Sequence, residues 1–234
     1  MRATELSELL AQENIQEEDL PRLKEGLVVI RSHGVGPEIY RSIEEAGLSC
    51  VDVTCPFVHK IHRLVKGESE NGRYILIVGD PAHAEVQGIC GWCSKAVVVR
   101  DHDEFHAWAD ENGLPPDSPV TVVFQTTSNK SDAENFVNSI KKEYTNIKIF
   151  DTICDATSVR QAEAARLAAE SDVMVVVGGA HSANSVHLAE ICRRFCDDVR
   201  FVEGIGGLSL SGIPACAAAG VTAGASTPSW IIKE

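Results

Sequence analysis

Residues 151–185 read DTICDATSVRQAEAARLAAESDVMVVVGGAHSANS, and the order of their apolar and polar residues sets the expected architecture. Apolar residues at helical spacing predict a helix over Thr157–Ala169. The continuous β-branched run within Asp172–Gly178 predicts a strand that is covered on both faces. The polar loop Gly178–Ser185 leaves the carboxyl end of that strand, where open α/β sheets bind ligands. We therefore expect one parallel α/β unit with Cys154 at one corner and polar side chains at the other.

The same order of strand, polar loop and helix recurs along most of the chain. Further strands are predicted at Leu27–Ser32, Cys50–Thr54, Tyr74–Gly79, Ala96–Val99, Val120–Phe124, Ile147–Phe150, Val199–Val202 and Ala215–Gly220. Further helices are predicted at Phe57–Lys66 and Asp132–Lys142, in residues 1–26 and after Pro228, and a loop of small residues at Gly220–Ser226. This alternation indicates an α/β fold with mainly parallel sheets. Several small lobes whose strand ends face a common centre would bring the polar loops together.

Composition excludes several classes of partner. The 234 residues carry a formal charge of −13, which argues against nucleic acid because phosphate binding requires a basic face. No apolar run approaches the ~20 residues of a membrane span. The first residues also lack the basic-then-apolar order of a signal peptide. We therefore predict a cytoplasmic protein with neither a nucleic-acid nor a membrane partner.

The chain has eight cysteines, and their contexts differ. Cys192 and Cys196, four residues apart on a predicted helix, and Cys50 are expected to be buried core thiols. Cys55 and Cys154 each follow a predicted strand and resemble copies of one plan, VDVTCP and FDTICDAT. A thiol at such a corner lies near backbone N–H donors, which favours the thiolate and metal ligation. The sequence pattern alone leaves open whether these two thiols bind metal or are structural.

Cys90 and Cys93 have the CxxC spacing of redox dithiols. A dithiol of that kind opens a helix directly after a strand, whereas this pair lies at the end of a predicted helix. The chain also has no second CxxC or CxxH that could complete a zinc site.

Histidines, hydroxyls and one carboxyl follow other predicted strands. His33 and His83 occupy equivalent loops, SHGVGP and GDPAHAEVQG, which suits anion binding. Glu85 could deliver a proton there, although an isolated loop glutamate is usually only solvated. Ser182, Asn184 and Ser226 lie on loops that enter helices, where they could bind phosphate or simply cap the helix. The remaining six histidines are expected to face solvent: His59, His62, His102, His106, His181 and His187.

Together these residues resemble a known family. The strings RSHGVGP, VTCPFVHKIH, GDPAHAEVQG, QTTS, DTICDAT, GGAHSANS and GVTAGAS are similar to those of the 4-hydroxy-3-methylbut-2-enyl diphosphate reductases of the non-mevalonate isoprenoid pathway. The resemblance covers nearly all of residues 27–232. It implies three similar α/β lobes around a central cavity that holds a [4Fe-4S] cluster and an allylic diphosphate. It also implies a two-electron, two-proton removal of a hydroxyl, which gives isopentenyl and dimethylallyl diphosphate.

The resemblance assigns a role to each candidate residue. Cys55 and Cys154 match two of three cluster ligands. His33, His83, Ser182, Asn184 and Ser226 match the diphosphate contacts. Glu85 matches the acid of the proton relay, and Thr126, in preference to Thr127, matches the hydroxyl near the substrate oxygen. Ferredoxin or flavodoxin is the implied electron donor.

The chain also departs from the family pattern. Ala183 stands where the family often has a second serine, and residues 1–26 contain neither Cys nor His. The third cluster ligand and one diphosphate histidine are therefore missing, which predicts a chain that lacks the family's N-terminal segment. A truncated gene product, a late start in the gene, completion by another polypeptide, and Cys50 or Cys90 as the third ligand all stay open. We expect lobes at 1–54 (incomplete), 55–150 and 151–234.

Two other functions remain open at this point. One is a non-catalytic α/β protein that binds a small phosphorylated ligand without iron. The other is a CxxC oxidoreductase that uses Cys90 and Cys93.

Overall fold

A computed structural model describes residues 25–213 and 218–234. The strands are β1 (Leu27–Ile30), β2 (Ser49–Asp52), β3 (Tyr74–Val78), β4 (Ala96–Val99), β5 (Val120–Phe124), β6 (Ile147–Ile149), β7 (Val173–Val177), β8 (Val199–Val202) and β9 (Ala219–Ala223). The helices are α1 (Pro37–Glu45), α2 (Pro56–Glu70), α3 (Ala84–Cys90), α4 (His102–Glu111), α5 (Lys130–Glu143), α6 (Asp155–Ala169), α7 (Ala183–Arg193) and α8 (Ser229–Lys233).

The strands form three separate parallel sheets, which confirms the predicted α/β class. The sheet orders are β1-β2, β4-β3-β5-β6 and β8-β7-β9. The middle and last sheets keep their register along the paired strands, for example Ile75 with Thr121 and Val175 with Val221. The sheets occupy successive parts of the chain. The lobe boundaries at 54/55 and 150/151 stay a prediction.

The strand order fixes where ligands can bind. In the middle sheet the chain moves from β3 to β4 on one side and later to β5 on the other. In the last sheet β7 likewise lies between β8 and β9. A crevice opens at the carboxyl ends of two neighbouring strands whose connections leave in opposite directions, and open α/β sheets bind ligands there. The loops after β3 and β5, and after β7 and β9, are therefore the expected binding loops.

Buried apolar side chains cover both faces of the middle sheet. In the middle sheet the strand residues Ile75, Leu76 and Ile77 are almost completely buried, as are Val122 and Val123. Burial of a Val, Leu or Ile side chain contributes roughly 1.5–3 kcal/mol. These strands therefore form a rigid base for the loops at their ends.

Several predictions about single elements were wrong. Strand β9 covers Ala219–Ala223, so the loop predicted at Gly220–Ser226 was wrong for its first four residues, whereas residues 215–217 of the predicted strand Ala215–Gly220 lie outside the described residues. Gly220 lies within β9. Its hydrogen lies against the neighbouring strand, where a Cβ would stand 2.3 Å from the Met174 Sδ atom. Cys192 and Cys196 are buried as expected, but Cys50, in β2, is exposed. The helix predicted in residues 1–26 lies outside the described residues, apart from residues 25 and 26.

Among the described residues, the helices are too short or too polar to cross a lipid bilayer.

Candidate active site at the strand ends

A buried carboxyl and a threonine form the centre of the site. Glu85 lies in the first turn of α3 and is only 2% exposed, whereas Thr126 follows β5. The Thr126 amide donates to the Glu85 Oε1 atom at 2.6 Å, and the Thr126 hydroxyl lies 2.6 Å from Oε2. Glu85 is therefore neither isolated nor solvated, and the sequence reading of it as a loop residue was wrong. The pair lies at the crevice of the middle sheet.

Burial governs the protonation of this carboxyl. Loss of water raises the pKa of Glu85 above its usual range, although the two bonds from Thr126 and the nearby His83 act to lower it. The carboxyl thus holds a proton more readily than an exposed glutamate does. A protonated Oε2 can donate to the Thr126 hydroxyl, which can pass a proton onward.

Two histidines from different loops meet beside this pair. The His33 ring follows β1 and lies 5.2 Å from the His83 ring, edge to face. The His83 Nδ1 atom accepts from the Glu85 amide at 3.2 Å, so in the neutral ring the proton is on Nε2, free to donate. Burial, His83 and Arg31 lower the pKa of His33, and its Nδ1 atom is buried without a partner in the described residues. These imidazoles present N–H donors close together.

The two candidate metal ligands occupy matching positions. Cys55 precedes α2 with φ −56° and ψ 134°, and Cys154 precedes α6 with φ −65° and ψ 133°. Neither thiol caps its helix with a hydrogen bond. The Cys154 amide donates to the Thr126 carbonyl at 3.0 Å, so Cys154 adjoins the Glu85–Thr126 pair. The predicted similarity of the two corners is confirmed.

These thiols fit part of an iron–sulfur site. Each lies at the N-terminus of a helix, and each thiol is a suitable donor to iron. Within residues 25–213 and 218–234, however, no three His, Cys, Asp or Glu side chains are arranged to hold a metal ion. The described residues therefore provide two suitable donors and no complete ligand set.

The last sheet contributes polar groups of a different kind. Ser182 caps α7 by accepting from the Ser185 amide at 3.4 Å. Asn184 is 7% exposed, and both polar atoms of its amide lack a protein partner in the described part of the chain. A buried orphan amide is costly unless a ligand or water binds it. Ser226 is exposed after β9, and no contact in the structure joins it to the other candidates.

Two glycines bring the binding loops of the last sheet together. A Cβ on Gly178 would lie 2.3 Å from the Ser185 Oγ atom, and one on Gly224 would lie 2.1 Å from it. Because no side chain fits at either position, the loops after β7 and β9 can both close on α7. The loop that carries Ser226 therefore adjoins the first turn of α7, where Asn184 lies.

A cleft of about 760 Å³ adjoins these groups. It runs between the middle and last sheets, and His83, Gln125, Ala183 and His187 are among its lining residues. Ser182, Asn184 and Ser226 are not among them. The cleft therefore reaches one of the predicted anion ligands and leaves the others outside.

The CxxC pair lies away from this site in a protected position. Cys90 ends α3, and burial raises the pKa of Cys90 and raises that of Cys93 to about 12. The Cys93 thiol lies 3.7 Å from the Ile89 carbonyl. A dithiol that resists ionisation is a poor nucleophile for disulfide exchange.

Three histidines that were expected to face solvent do not. The His102 side chain is 22% exposed, and its buried Nε2 atom lies 3.0 Å from the Glu143 Oε1 atom. His62 is 2% exposed and stacks on Trp92, with ring centroids 5.3 Å apart. His187 binds the Thr127 carbonyl through Nδ1 at 2.6 Å. His62 lies on the buried face of α2, in step with Val58 and Val65, and that periodicity was the missed signal. No sequence pattern indicated the contact of His187, which depends on how the last two sheets pack.

The fold and the site define a class of α/β protein in which the ends of several parallel sheets bring a carboxyl–hydroxyl pair, imidazoles and two thiols to one region. The family model described as "LytB protein" matches residues 4–234. The chain therefore belongs to the LytB protein family.

Curated relatives and solved structures agree with this assignment. The chain is 42% identical to the 4-hydroxy-3-methylbut-2-enyl diphosphate reductase of Alkaliphilus oremlandii over 218 residues. The aligned residues cover 92% of this chain and 76% of that relative. The reductase of Clostridium acetobutylicum is 40% identical over 220 residues, which cover 93% of this chain but 33% of that protein.

Two solved reductase structures are similar to this fold. A Plasmodium falciparum reductase has a TM-score of 0.83 at 24% identity and matches 93% of this chain and 68% of its own. A second structure, described as the terminal enzyme of the non-mevalonate pathway, has a TM-score of 0.59 at 33% identity. It matches 90% of this chain and 75% of its own. The first match concerns the fold alone.

Proposed function

We propose that the chain is a 4-hydroxy-3-methylbut-2-enyl diphosphate reductase that acts in the cytoplasm. The observation that carries this proposal is the buried Glu85–Thr126 pair, which couples a carboxyl of raised pKa to a hydroxyl at 2.6 Å. Such a pair suits delivery of a proton to a departing hydroxyl. The relatives are named for this reaction.

The reaction breaks the allylic C–O bond of the substrate. The hydroxyl leaves as water, and the allylic carbon skeleton gains two electrons and a proton, which consumes two protons in total. Thr126 hydrogen-bonds the substrate hydroxyl, and Glu85 supplies a proton through the Thr126 Oγ1 atom. Burial of the pair keeps bulk water from competing for that proton.

The diphosphate binds to polar groups that include atoms without a protein partner in the described part of the chain, on His33 and Asn184. The His83 Nε2–H group and the His33 imidazole supply N–H bonds, and the orphan Asn184 amide supplies another. Ser182 and Ser226 add hydroxyls from the adjoining loops. Because the chain carries a net charge of −13, these local donors rather than the overall field hold the anion.

Cys55 and Cys154 would supply two of the three protein ligands of a [4Fe-4S] cluster in this proposal. When bound, the cluster supplies electrons and a Lewis-acidic iron, and ferredoxin or flavodoxin is the proposed source of those electrons. The Cys154 amide binds the Thr126 carbonyl, so the thiol and the hydroxyl are positioned by one backbone contact.

Anaerobic purification tests this proposal. We expect a brown protein with bound iron and sulfide that releases isopentenyl and dimethylallyl diphosphate under reducing conditions. Cys154→Ala should lose iron, whereas the matched control Cys192→Ala, in the core of the last sheet, should retain it. A colourless protein that binds the diphosphate without turnover would instead support the non-catalytic binding protein.

A further inference from the structure

Three consecutive backbone carbonyls of the loop between β5 and α5 accept hydrogen bonds from later parts of the chain. The Thr126 carbonyl accepts from the Cys154 amide at 3.0 Å. The Thr127 carbonyl accepts from the His187 Nδ1 atom at 2.6 Å, and the Ser128 carbonyl accepts from the Gln161 Nε2 atom at 2.9 Å. All three donors come from the chain after residue 150.

The two side-chain donors belong to helices that pack against each other. Gln161 lies on α6 and His187 on α7, and these helices share a core that includes Ala164, Leu188 and Cys192. Gln161 is 5% exposed, and its Oε1 atom also accepts from the Lys130 amide at 3.1 Å. Since a carbonyl can only accept, the His187 Nδ1 atom carries a proton. Both side chains are therefore fixed in one orientation.

The same loop also contacts the Glu85 carboxyl through Thr126. The Thr126 amide and hydroxyl point to Glu85, while the Thr126 carbonyl points to Cys154. The loop thus lies between α3 of the middle sheet and the two helices of the last sheet. A shift on the α7 side would move the Thr126 hydroxyl relative to Glu85.

We propose that His187 and Gln161 are positioning residues that set the place of the Thr126 hydroxyl by binding the carbonyls of the next two residues. The inference rests on the proposed reductase function for its kinetic consequence, but its structural consequence stands apart from it. His187 touches neither Thr126 nor Glu85 and acts through the loop backbone. Its role is distinct from that of the diphosphate and cluster ligands.

A set of His187 variants separates the hydrogen bond from the shape of the ring. His187→Phe keeps a flat ring and removes the donor, whereas His187→Asn keeps an N–H group near the Nδ1 position. Because small misplacements of a reacting group are costly, His187→Phe should lower kcat about tenfold or more and leave KM within about twofold. His187→Asn should recover most of kcat. The control His106→Phe changes an exposed histidine on α4 and should match the wild type.

Amide hydrogen exchange gives a second readout that needs no activity. The Thr126 amide is bonded to Glu85, so its exchange reports whether the loop stays in place. We expect faster exchange at Thr126 in His187→Phe than in His187→Asn, with the β3 amides unchanged. Gln161→Glu keeps the acceptor for the Lys130 amide and loses the donor to Ser128, so it should act in the same direction.

The outcomes separate this inference from the proposed function. Wild-type kcat and wild-type Thr126 exchange in both His187→Phe and Gln161→Glu would overturn the inference while the reductase function stands. An inactive wild-type chain in which exchange at Thr126 still rises in these variants would count against the function and support the inference. If His187→Phe fails to fold, Gln161→Glu and His187→Asn decide the question by the same two measurements.

Discussion

The Glu85 carboxyl is buried from water and accepts two hydrogen bonds from Thr126. This environment sets the acid–base properties of the residue. Glu85→Gln keeps an acceptor for the Thr126 amide but has no acidic proton to pass on. General acid–base catalysis contributes about 10²–10⁴-fold, so we expect turnover to fall by that order. Diphosphate affinity should change little, because Glu85 is not among the proposed anion ligands.

Single-turnover rates and equilibrium binding measured together check this prediction. Glu163→Gln, an exposed change on α6, is the control and should leave both quantities unchanged. Full turnover in Glu85→Gln would remove Glu85 from the proton path.

His62 gives the fold a pH dependence of known sign. Burial first, and His59 second, lower the pKa of His62 to about 4 from 6.5, against a smaller opposing effect of Asp52. The neutral ring is thus favoured in the folded chain, so its contribution to stability is present above pH 6.5 and is lost as the pH falls toward 4. Between pH 7 and pH 5 this costs about 2 kcal/mol.

Urea unfolding of His62→Leu at pH 7 and pH 5 tests that sign. We expect the variant to lose about 2 kcal/mol less than the wild type between the two pH values, because leucine cannot take up a proton. His106→Leu, which changes an exposed ring, should lose as much as the wild type. An equal loss in His62→Leu would show that His62 does not carry the effect.

At the scale of elements, the loops after β7 and β9 can contact α7 only because glycines leave room for the Ser185 hydroxyl. Gly224→Ala would place a Cβ 2.1 Å from the Ser185 Oγ atom but 3.3 Å from its Cβ. Overpacking of this kind costs about 1–3 kcal/mol. Ser185→Ala removes an unpartnered buried hydroxyl, so by itself it should be nearly neutral, and in the double variant it should restore most of the loss.

A double-mutant cycle by denaturant unfolding measures this coupling. Gly178 supplies the matched comparison, because a Cβ there would lie 2.7 Å from the Ser185 Cβ as well. Ser185→Ala should therefore fail to rescue Gly178→Ala. Equal rescue at both glycines would contradict the geometry.

The pattern of apolar residues predicted the bounds of two strands of the middle sheet correctly. Ala96–Val99 and Val120–Phe124 match the observed strands because continuous β-branched runs fit only a covered strand. The loop predicted at Gly220–Ser226 was wrong for its first four residues because a run of small residues was taken as a loop signal, although Gly220 permits close approach of β9 to Met174.

The candidate site was predictable to the level of residue types at strand ends. Which of these side chains meet depends on packing between sheets, and local pattern carries no information about that. The Glu85–Thr126 pair joins residues 41 apart, and the His187 contact joins residues 60 apart. His187 was therefore assigned to solvent, while the family resemblance alone linked Glu85 with Thr126.

At the scale of the whole molecule, α2 connects the site to the far end of the middle sheet. It begins after Cys55 and carries Glu68 near its end, where Glu68 pairs with Arg73 at 3.3 Å. The buried Arg73 guanidinium also donates to the Thr121 hydroxyl, the Val120 carbonyl and Asn146. This arrangement fastens β3 to β5 and to the start of β6.

Arg73→Met should therefore lower the free energy of unfolding by about 1–3 kcal/mol, because it leaves the buried Val120 and Asn146 carbonyls without their donor. Glu68 keeps Lys148 as a partner at 2.9 Å. Urea unfolding measures this loss. Arg41→Met, which removes an exposed ion pair with Glu38, should cost less than about 1 kcal/mol. Since Arg73 lies at the opposite end of the sheet from the site, kcat measured where the variant is fully folded should be unchanged.

The loop bound through its three carbonyls also bears on the order of events during folding. Its partners arrive from residues 85, 154, 161 and 187, so several long chain closures must precede it, and contacts of that kind form late. The individual sheets can form before the Thr126 hydroxyl reaches its carboxyl. A newly made chain would thus form the contact between Glu85 and Thr126 only as one of its last folding steps, after the sheets around it have been completed.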